Sequence, residues 1–375
     1  MPHKEEVEEP AEEFTPELYP PFPDDIPTLD IPTITLSKLL EDDAAEQDRV
    51  FSACVGRGFF YLELGGCEAG STILSGAEQI ARLGSRVFQL PLAEKMRYKQ
   101  AHKQLFGYKF AGSSVTDKAG TPDTAEFFNV AKNDMIVPDA EMRRPWPAEV
   151  LESKDLFAAY VRSAHAVGLK VLAVLAEKMG VDPGEFAARH RIEEPSGDHV
   201  RITRGPPRAV KEMPEVQTPS HTDSGSDQGK EQIQTPSHTD FGTITILMNW
   251  LGGLQVWSES ARKAHLSNGQ PDGPGEWLWI KPKRGCAIIN LGDAAMRFSN
   301  GVLCAGRHRV IPAPGAQGEW PRYSIVYFVR PEDSCLMKKF KVQGAPESSE
   351  DEEEAITATE WIFRQSSALG NKLDD

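Results

Sequence analysis

Along this chain the spacing of apolar positions changes once. Between 43 and 101 they recur near every 3.6 residues, the period of a helix with one buried stripe. AAEQDRVFSACVGRG predicts a helix, FFYLEL a strand, and ILSGAEQIARLGSRVFQLPLAEKMRYK a longer helix. The stretch 151–180 (LESKDLFAAYVRSAHAVGLKVLAVLAEKMG) predicts the clearest helix, stopped by Gly180 and Pro183. After about 198 the pattern becomes short β-branched and aromatic runs parted by Gly, Pro, Asn and Asp: HVRITRG, FGTITILMNW, GGLQVWS, GEWLWIKPK, GCAIINLG, GRHRVIPAP and RYSIVYFVRP. Helices first and strands second predict an α+β, mainly β protein: a β-sandwich or jelly roll, helices packed outside it, and one continuous core.

Composition narrows the class without naming a chemistry. At 375 residues and 39% apolar, the chain can bury a substantial core in one large domain or two small ones. Its formal charge is −15, yet residues 1–30 hold ten acids and one lysine, and ESSEDEEE at 347–354 holds six acids. Those two blocks account for the whole excess and are expected to be solvated segments. The balanced remainder offers no basic stripe for nucleic acid. Cys54, Cys67, Cys286, Cys304 and Cys335 lack CxxC spacing and are expected to be reduced, mostly buried thiols. The acidic start has no apolar core, and no apolar run approaches the ~18 residues that span a bilayer. A soluble, cytoplasmic, monomeric protein without nucleic-acid or membrane partners is expected.

Chemistry enters with a heptapeptide that occurs twice, QTPSHTD at 217–223 and again at 234–240. In a strand, residues i and i+2 share a face, ~6.5–7 Å apart. If a strand runs on from 238, His238 and Asp240 project together and can offer one metal ion an imidazole and a carboxylate. His308, at the head of a β-branched run, supplies a third donor. Two histidines and one carboxylate suit Fe(II) oxygen chemistry better than structural zinc. The downstream flanks decide between the copies. After Asp240 comes FGTITIL, a strand that can hold ligands rigidly; after Asp223 comes SGSDQGK, a loop composition. His238 and Asp240 are therefore preferred, with His221 and Asp223 as the alternative pair. The same i, i+2 logic puts Arg322 and Ser324 on one face, a guanidinium fork and a hydroxyl suited to a carboxylate.

HTDFGTITIL, GGLQVW, GEWLWIKP, GCAIINLGDAAMRFSNG, RHRVI and RYSIVYF resemble the catalytic half of the iron(II)/2-oxoglutarate-dependent dioxygenases related to isopenicillin N synthase, within a likeness to both halves of that family that runs in order over about 26–335. IPTLDI, GFFYLEL, LPLAEKMRY and TAEFFNV resemble the N-terminal half of that family, and ITATEWIFRQ its closing helix. The resemblance implies a distorted double-stranded β-helix, Fe(II) on His238, Asp240 and His308, and Arg322 with Ser324 on the far carboxylate of 2-oxoglutarate. It further implies that O2 is consumed, that 2-oxoglutarate yields succinate and CO2, and that a C–H bond of a small organic molecule of specialised metabolism is hydroxylated, desaturated or closed into a ring. Tyr108, Phe110, Phe127, Trp361 and Phe363 are the implied substrate-facing residues. The implied segments are an acidic arm at 1–25, a helical region at 26–197, the catalytic jelly roll at 198–335, and a linker with a helix at 336–375.

Three departures accompany the resemblance. Gly205 stands in RITRGPP where the family commonly has a tyrosine against the oxo acid, SESARKAHLSNGQPDGPG looks like a polar insertion, and PAPGAQGEW lengthens the turn before Arg322. Gly205 keeps open an oxidase of the same fold that uses no 2-oxo acid, as isopenicillin N synthase does; Arg322 and Ser324 lean against it. The duplicated heptapeptide keeps open a catalytically impaired binding protein. Structural roles are expected for His102, His165, His190, His199 and His265, a turn or helix N-cap for Asp293, and packing for Cys304.

Overall fold

The computed structural model describes residues 13–101, 104–116, 120–209, 232–258, 275–342 and 356–368. Strands occur in chain order as β1 (Thr33–Thr35), β2 (Phe59–Glu63), β3 (Gly107–Lys109), β4 (Glu126–Ala131), β5 (His199–Gly205), β6 (Thr235–His238), β7 (Ile244–Asn249), β8 (Leu254–Trp257), β9 (Trp277–Trp279), β10 (Cys286–Leu291), β11 (His308–Val310) and β12 (Arg322–Val329). One sheet has the order β1-β2-β10-β7-β12-β5-β4-β3 and the other β6-β11-β8-β9. Neighbours distant in sequence, split between two sheets, make the jelly roll.

Strand β12 shows how the sequence divides the interior. All its residues are buried, as in a sheet covered on both faces. Tyr323, Ile325, Tyr327 and Val329 join a cluster that includes residues of helices Glu68–Gln89 and Lys154–Lys178. The alternating Val326 and Phe328 join a second cluster, with Leu254 and Val256 of β8. The period of two therefore produces two cores where one continuous core was expected.

Two helical predictions are corrected by local chemistry. The long helix begins at Glu68, before the expected Ile73, and ends at Gln89. Pro91 removes a donor and pushes its predecessor out of helical geometry; LAEKMRY forms separate turns at Leu92–Lys95 and Met96–Tyr98. The 151–180 prediction divides at Ser153 into Ala148–Glu152 and Lys154–Lys178. By length and composition alone the second could cross a bilayer, but Tyr160, Ala164, Val171 and Leu175 place it in the core. Order also starts before the expected position near 26: Phe14 is fully buried, its ring 4.6 Å from Trp250 and 5.9 Å from Tyr323. The acidic block at 347–354 lies outside the described residues.

His190 ties a helical segment to the β7 approach. Its Nδ1 lies 2.6 Å from the Phe186 carbonyl and its Nε2 2.7 Å from Thr243 Oγ1. Burial pushes its pKa down to about 4, against about 6.5 in an unfolded chain. Between those values the unfolded state binds the proton and the native state does not. The contribution is thus complete above about pH 6.5 and is lost as pH falls toward 4, by about 3 kcal/mol. In urea titrations of the metal-free protein, the midpoint should fall over that window, and His190→Gln should flatten the fall.

Candidate active site

Strands β6 and β11 run antiparallel with His238 opposite His308, so both side chains share a face. Their ring centroids lie 4.3 Å apart. His238 Nδ1 is 2.8 Å from the Pro236 carbonyl, and His308 Nδ1 is 3.1 Å from the Gly306 carbonyl. A carbonyl only accepts, so each Nδ1 carries the proton and each Nε2 keeps a lone pair. Asp240 Oδ1 lies 3.6 Å from His238 Nε2 and 3.9 Å from His308 Nε2. The three donor groups lie within 4.8 Å of one another.

How Asp240 arrives there differs from the sequence expectation. Strand β6 ends at His238, residues 241–243 bend, and β7 begins at Ile244. Asp240 therefore meets His238 through a loop and not through strand alternation. Asp293 N–H donates to the Asp240 carbonyl at 2.7 Å, and its carboxylate accepts from Thr239 Oγ1 at 3.0 Å. Gly292 holds the N-cap position of helix Asp293–Phe298, so Asp293, expected in a turn or at a helix N-cap, is the first helical residue and braces this loop.

Two residues that sequence reasoning passed over complete the carboxylate. Asp240 Oδ2 accepts from Thr245 Oγ1 at 2.6 Å and from Asn290 Nδ2 at 2.7 Å. They face each other across β7 and β10, which only the strand order brings together. Burial alone would raise the Asp240 pKa, but the adjoining His238 and His308 and the Thr245 hydrogen bond outweigh it, and the carboxyl lies far below its ordinary range. Burial, then His238, push His308 down to about 4 against the opposing pull of Asp240. At neutral pH the cluster presents one anionic oxygen and neutral imidazole on His308. Two imidazoles fixed as Nε2 donors plus one free carboxylate oxygen are a donor set that fits Fe(II).

On β12, Arg322 and Ser324 line the same cavity. Arg322 is 2% exposed; its Nε donates to the Gly252 carbonyl at 2.7 Å and its Nη1 to Ser324 Oγ at 3.4 Å. Burial lowers its pKa to about 10, which leaves it protonated at neutral pH. The lengthened turn braces the same corner: Gln317 Oε1 accepts from Gly252 N–H at 2.9 Å. Gly253, at φ +117°, leaves room that a Cβ would close to 2.7 Å from Arg322 Nε.

Gly205 pairs with Arg322 across β5 and β12, and the buried side chain of Gln234 fills the space beside it. A Cβ at 205 would lie 2.2 Å from Gln234 Oε1, while Gln234 Nε2 donates to the Pro206 carbonyl at 3.0 Å. The departure at 205 is thus matched by a residue of the second heptapeptide. Thr203 and Thr235 bring hydroxyls to the cavity.

None of the five aromatics expected at the substrate lines this cavity. Tyr108 points to the opposite face of β3, where its hydroxyl donates to Glu126 at 2.5 Å and its ring packs on Phe128. Phe110 and Trp361 pack against the helix-side core, and Phe363 is 37% exposed. Phe127 comes nearest, its ring 4.2 Å from the Arg201 guanidinium, and Arg201 does line the cavity. His221 and Asp223, like His102 and His265 and most of the polar insertion, lie outside the described residues.

Comparison with known proteins gives the arrangement its relatives. Residues 31–149 match the family described as non-haem dioxygenase in morphine synthesis N-terminal, and residues 209–331 the 2OG-Fe(II) oxygenase superfamily. The chain is 32% identical over 334 residues to a 2-oxoglutarate-dependent dioxygenase of Aspergillus fumigatus, covering 86% of this chain and 81% of that protein. It is 29% identical over 308 residues to the 2-oxoglutarate-dependent dioxygenase frbH of Dothideomycetidae sp., covering 82% and 84%. Among solved structures, a 2OG-Fe(II) oxygenase family protein from Caulobacter crescentus superposes with a TM-score of 0.68 at 23% identity, covering 91% of this chain and 100% of that one. That likeness shows the fold.

Proposed function

Because the chain belongs to the 2OG-Fe(II) oxygenase superfamily, in the isopenicillin N synthase-like class, we propose that His238, Asp240 and His308 hold its Fe(II) and that Arg322 and Ser324 hold the distal carboxylate of 2-oxoglutarate. The protein is an Fe(II)- and 2-oxoglutarate-dependent dioxygenase that consumes O2. Its substrate is a small organic molecule, which we place in specialised metabolism, to be hydroxylated, desaturated or cyclised. The observation that carries the residue assignment is the convergence of two Nε2 lone pairs and one carboxylate oxygen within 4.8 Å at one end of the Arg322 cavity.

Bound there, Fe(II) with 2-oxoglutarate would supply the oxidising power for a C–H bond. The chain's own share is placement. Pro236 and Gly306 carbonyls fix both imidazole tautomers, and Thr245 with Asn290 occupies Asp240 Oδ2 so that Oδ1 faces the histidines. Phe59, Leu247, Val310 and Val326 line the remaining wall and keep it apolar, which strengthens the Arg322 interaction.

Incubation with Fe(II), 2-oxoglutarate and O2, with succinate measured by NMR, tests the reading. Succinate should form slowly alone and faster with a substrate found by screening small organic molecules. No consumption of 2-oxoglutarate under either condition would sink it. Asn290→Ala should weaken Fe(II) binding ~10–100-fold without unfolding the protein, the size expected for loss of a group that orients a ligand; equilibrium competition with a chromophoric chelator reads this directly.

A further inference from the structure

Two cationic groups, one lining the cavity and one packed beside it, are used by neither the metal nor the 2-oxoglutarate reading. On β5, Arg201 lines the cavity one register row beyond Thr203. Its Nε donates to Asn129 Oδ1 at 2.8 Å, and its guanidinium lies 4.9 Å from the Phe328 ring centroid. Just past β12, Arg330 lies against the same ring at 5.5 Å. Arg330 is 4% exposed, and its Nε and Nη1 are buried without a hydrogen-bond partner among the described residues. Its shaft fills space left by two glycines: a Cβ on Gly197 would lie 2.9 Å from Arg330 Cδ, and one on Gly242 3.0 Å from its Cγ.

Among the described residues no carboxylate bonds either guanidinium, although Asp240, Asp198 and Asp333 lie near enough to act on Arg330. Asp198 Oδ1 accepts from the Arg330 backbone N–H at 2.6 Å. Its Oδ2 faces Tyr327, His165 and Lys132. Asp240 faces the histidines. Burial and then Arg330 lower the Arg201 pKa, and burial lowers that of Arg330; Asp240 opposes both, joined at Arg330 by Asp198 and Asp333. His199 stacks on Phe328 at 4.6 Å and donates from Nδ1 to the Gly197 carbonyl; burial holds it neutral, so it adds an acceptor and no charge. Bound Fe(II) and the 2-oxoglutarate dianion would cancel each other, and Asp240 matches Arg322, so neither leaves a negative charge over for Arg201 and Arg330. Buried guanidinium N–H groups without acceptors are costly, and a bound ligand can supply the missing acceptors.

We propose that the substrate is a carboxylate-bearing molecule with an apolar or aromatic body, its carboxylate held by Arg201 and Arg330 and its body laid along Phe328. This rests on the oxygenase reading and adds to it the charge of the substrate. A planar guanidinium receives a carboxylate through two parallel bonds, and a ring carboxylic acid matches the Phe328 surface between them.

The test uses the full chain loaded anaerobically with Fe(II) and 2-oxoglutarate, and the acids phenylacetate, 3-phenylpropanoate and 4-phenylbutanoate against their primary amides, with binding read by calorimetry. At least one acid should bind tenfold or more tighter than its amide, and Arg201→Gln and Arg330→Gln should each erase that preference while 2-oxoglutarate affinity stays unchanged. Equal or absent binding of acids and amides, with 2-oxoglutarate still bound, would overturn the proposal. So would a loss of 2-oxoglutarate affinity in either variant, because the arginines would then serve the cosubstrate. If 2-oxoglutarate does not bind the wild type, the oxygenase reading has failed separately, and the metal-free protein decides: Arg330→Met should raise its Tm, since an unanswered buried charge is removed, whereas a lower Tm would make Arg330 structural and end the proposal.

Discussion

Replacing His238 with alanine is expected to weaken Fe(II) binding more than 100-fold and to abolish 2-oxoglutarate turnover, whereas His221→Ala should change neither. Loss of a ligand should exceed the ~10–100-fold typical of the groups that merely orient one. The two heptapeptides are identical, so nothing inside them distinguishes the copies. Their surroundings do. In the second copy Gln234 bonds the Pro206 carbonyl, Ser237 Oγ accepts from Arg307, His238 faces His308, Thr239 bonds Asp293, and Asp240 takes Thr245 and Asn290. Moving the first copy into register would sever β7 from its own approach segment, because FGTITIL comes only after the second. Anaerobic titration with Fe(II) and 2-oxoglutarate, monitoring the weak visible charge-transfer band, separates the cases. A band that survives His238→Ala and vanishes in His221→Ala would transfer the metal to the first copy.

The same segment shows how far sequence carries. The preference for His238 and Asp240 comes from strand propensity after Asp240, and that strand is β7. Strand alternation itself is the wrong reason for their meeting: Thr239 and Asp240 lie off the sheet, and a loop braced by Asp293 brings the carboxylate round. Alternation does hold on β12, where Arg322, Ser324, Val326 and Phe328 face the cavity and Tyr323, Ile325 and Tyr327 the helices. Thr245, Asn290 and Gln234 are illegible in the sequence because each acts across a strand pairing or turn that local pattern does not specify. Tyr108 is misplaced for the converse reason. A three-residue strand offers too few positions to show which face its aromatic takes, and the buried Glu126 beside it decides the matter.

Arg322→Met is expected to raise the Kd for 2-oxoglutarate by ~100-fold or more while leaving Fe(II) affinity near wild type. Methionine keeps much of the apolar shaft and removes the fork, and truncating one member of a buried charge pair costs about 2–5 kcal/mol, of which ~2.7 corresponds to 100-fold. Arg322→Lys should recover only part of the loss. A lysine restores charge, but it cannot bond both the Gly252 carbonyl and a carboxylate with the geometry that a planar group holds at 2.7 Å from Gly252. Ser324→Ala should cost less than either, because its hydroxyl meets Arg322 Nη1 at 3.4 Å, a long contact. Calorimetry of 2-oxoglutarate binding to the Fe(II)-loaded protein without O2 gives the order directly. If Ser324→Ala proved more harmful than Arg322→Met, or if Arg322→Met left the affinity within a fewfold of wild type, the distal carboxylate would have to lie elsewhere, and Arg201 with Arg330 would be the first place to look.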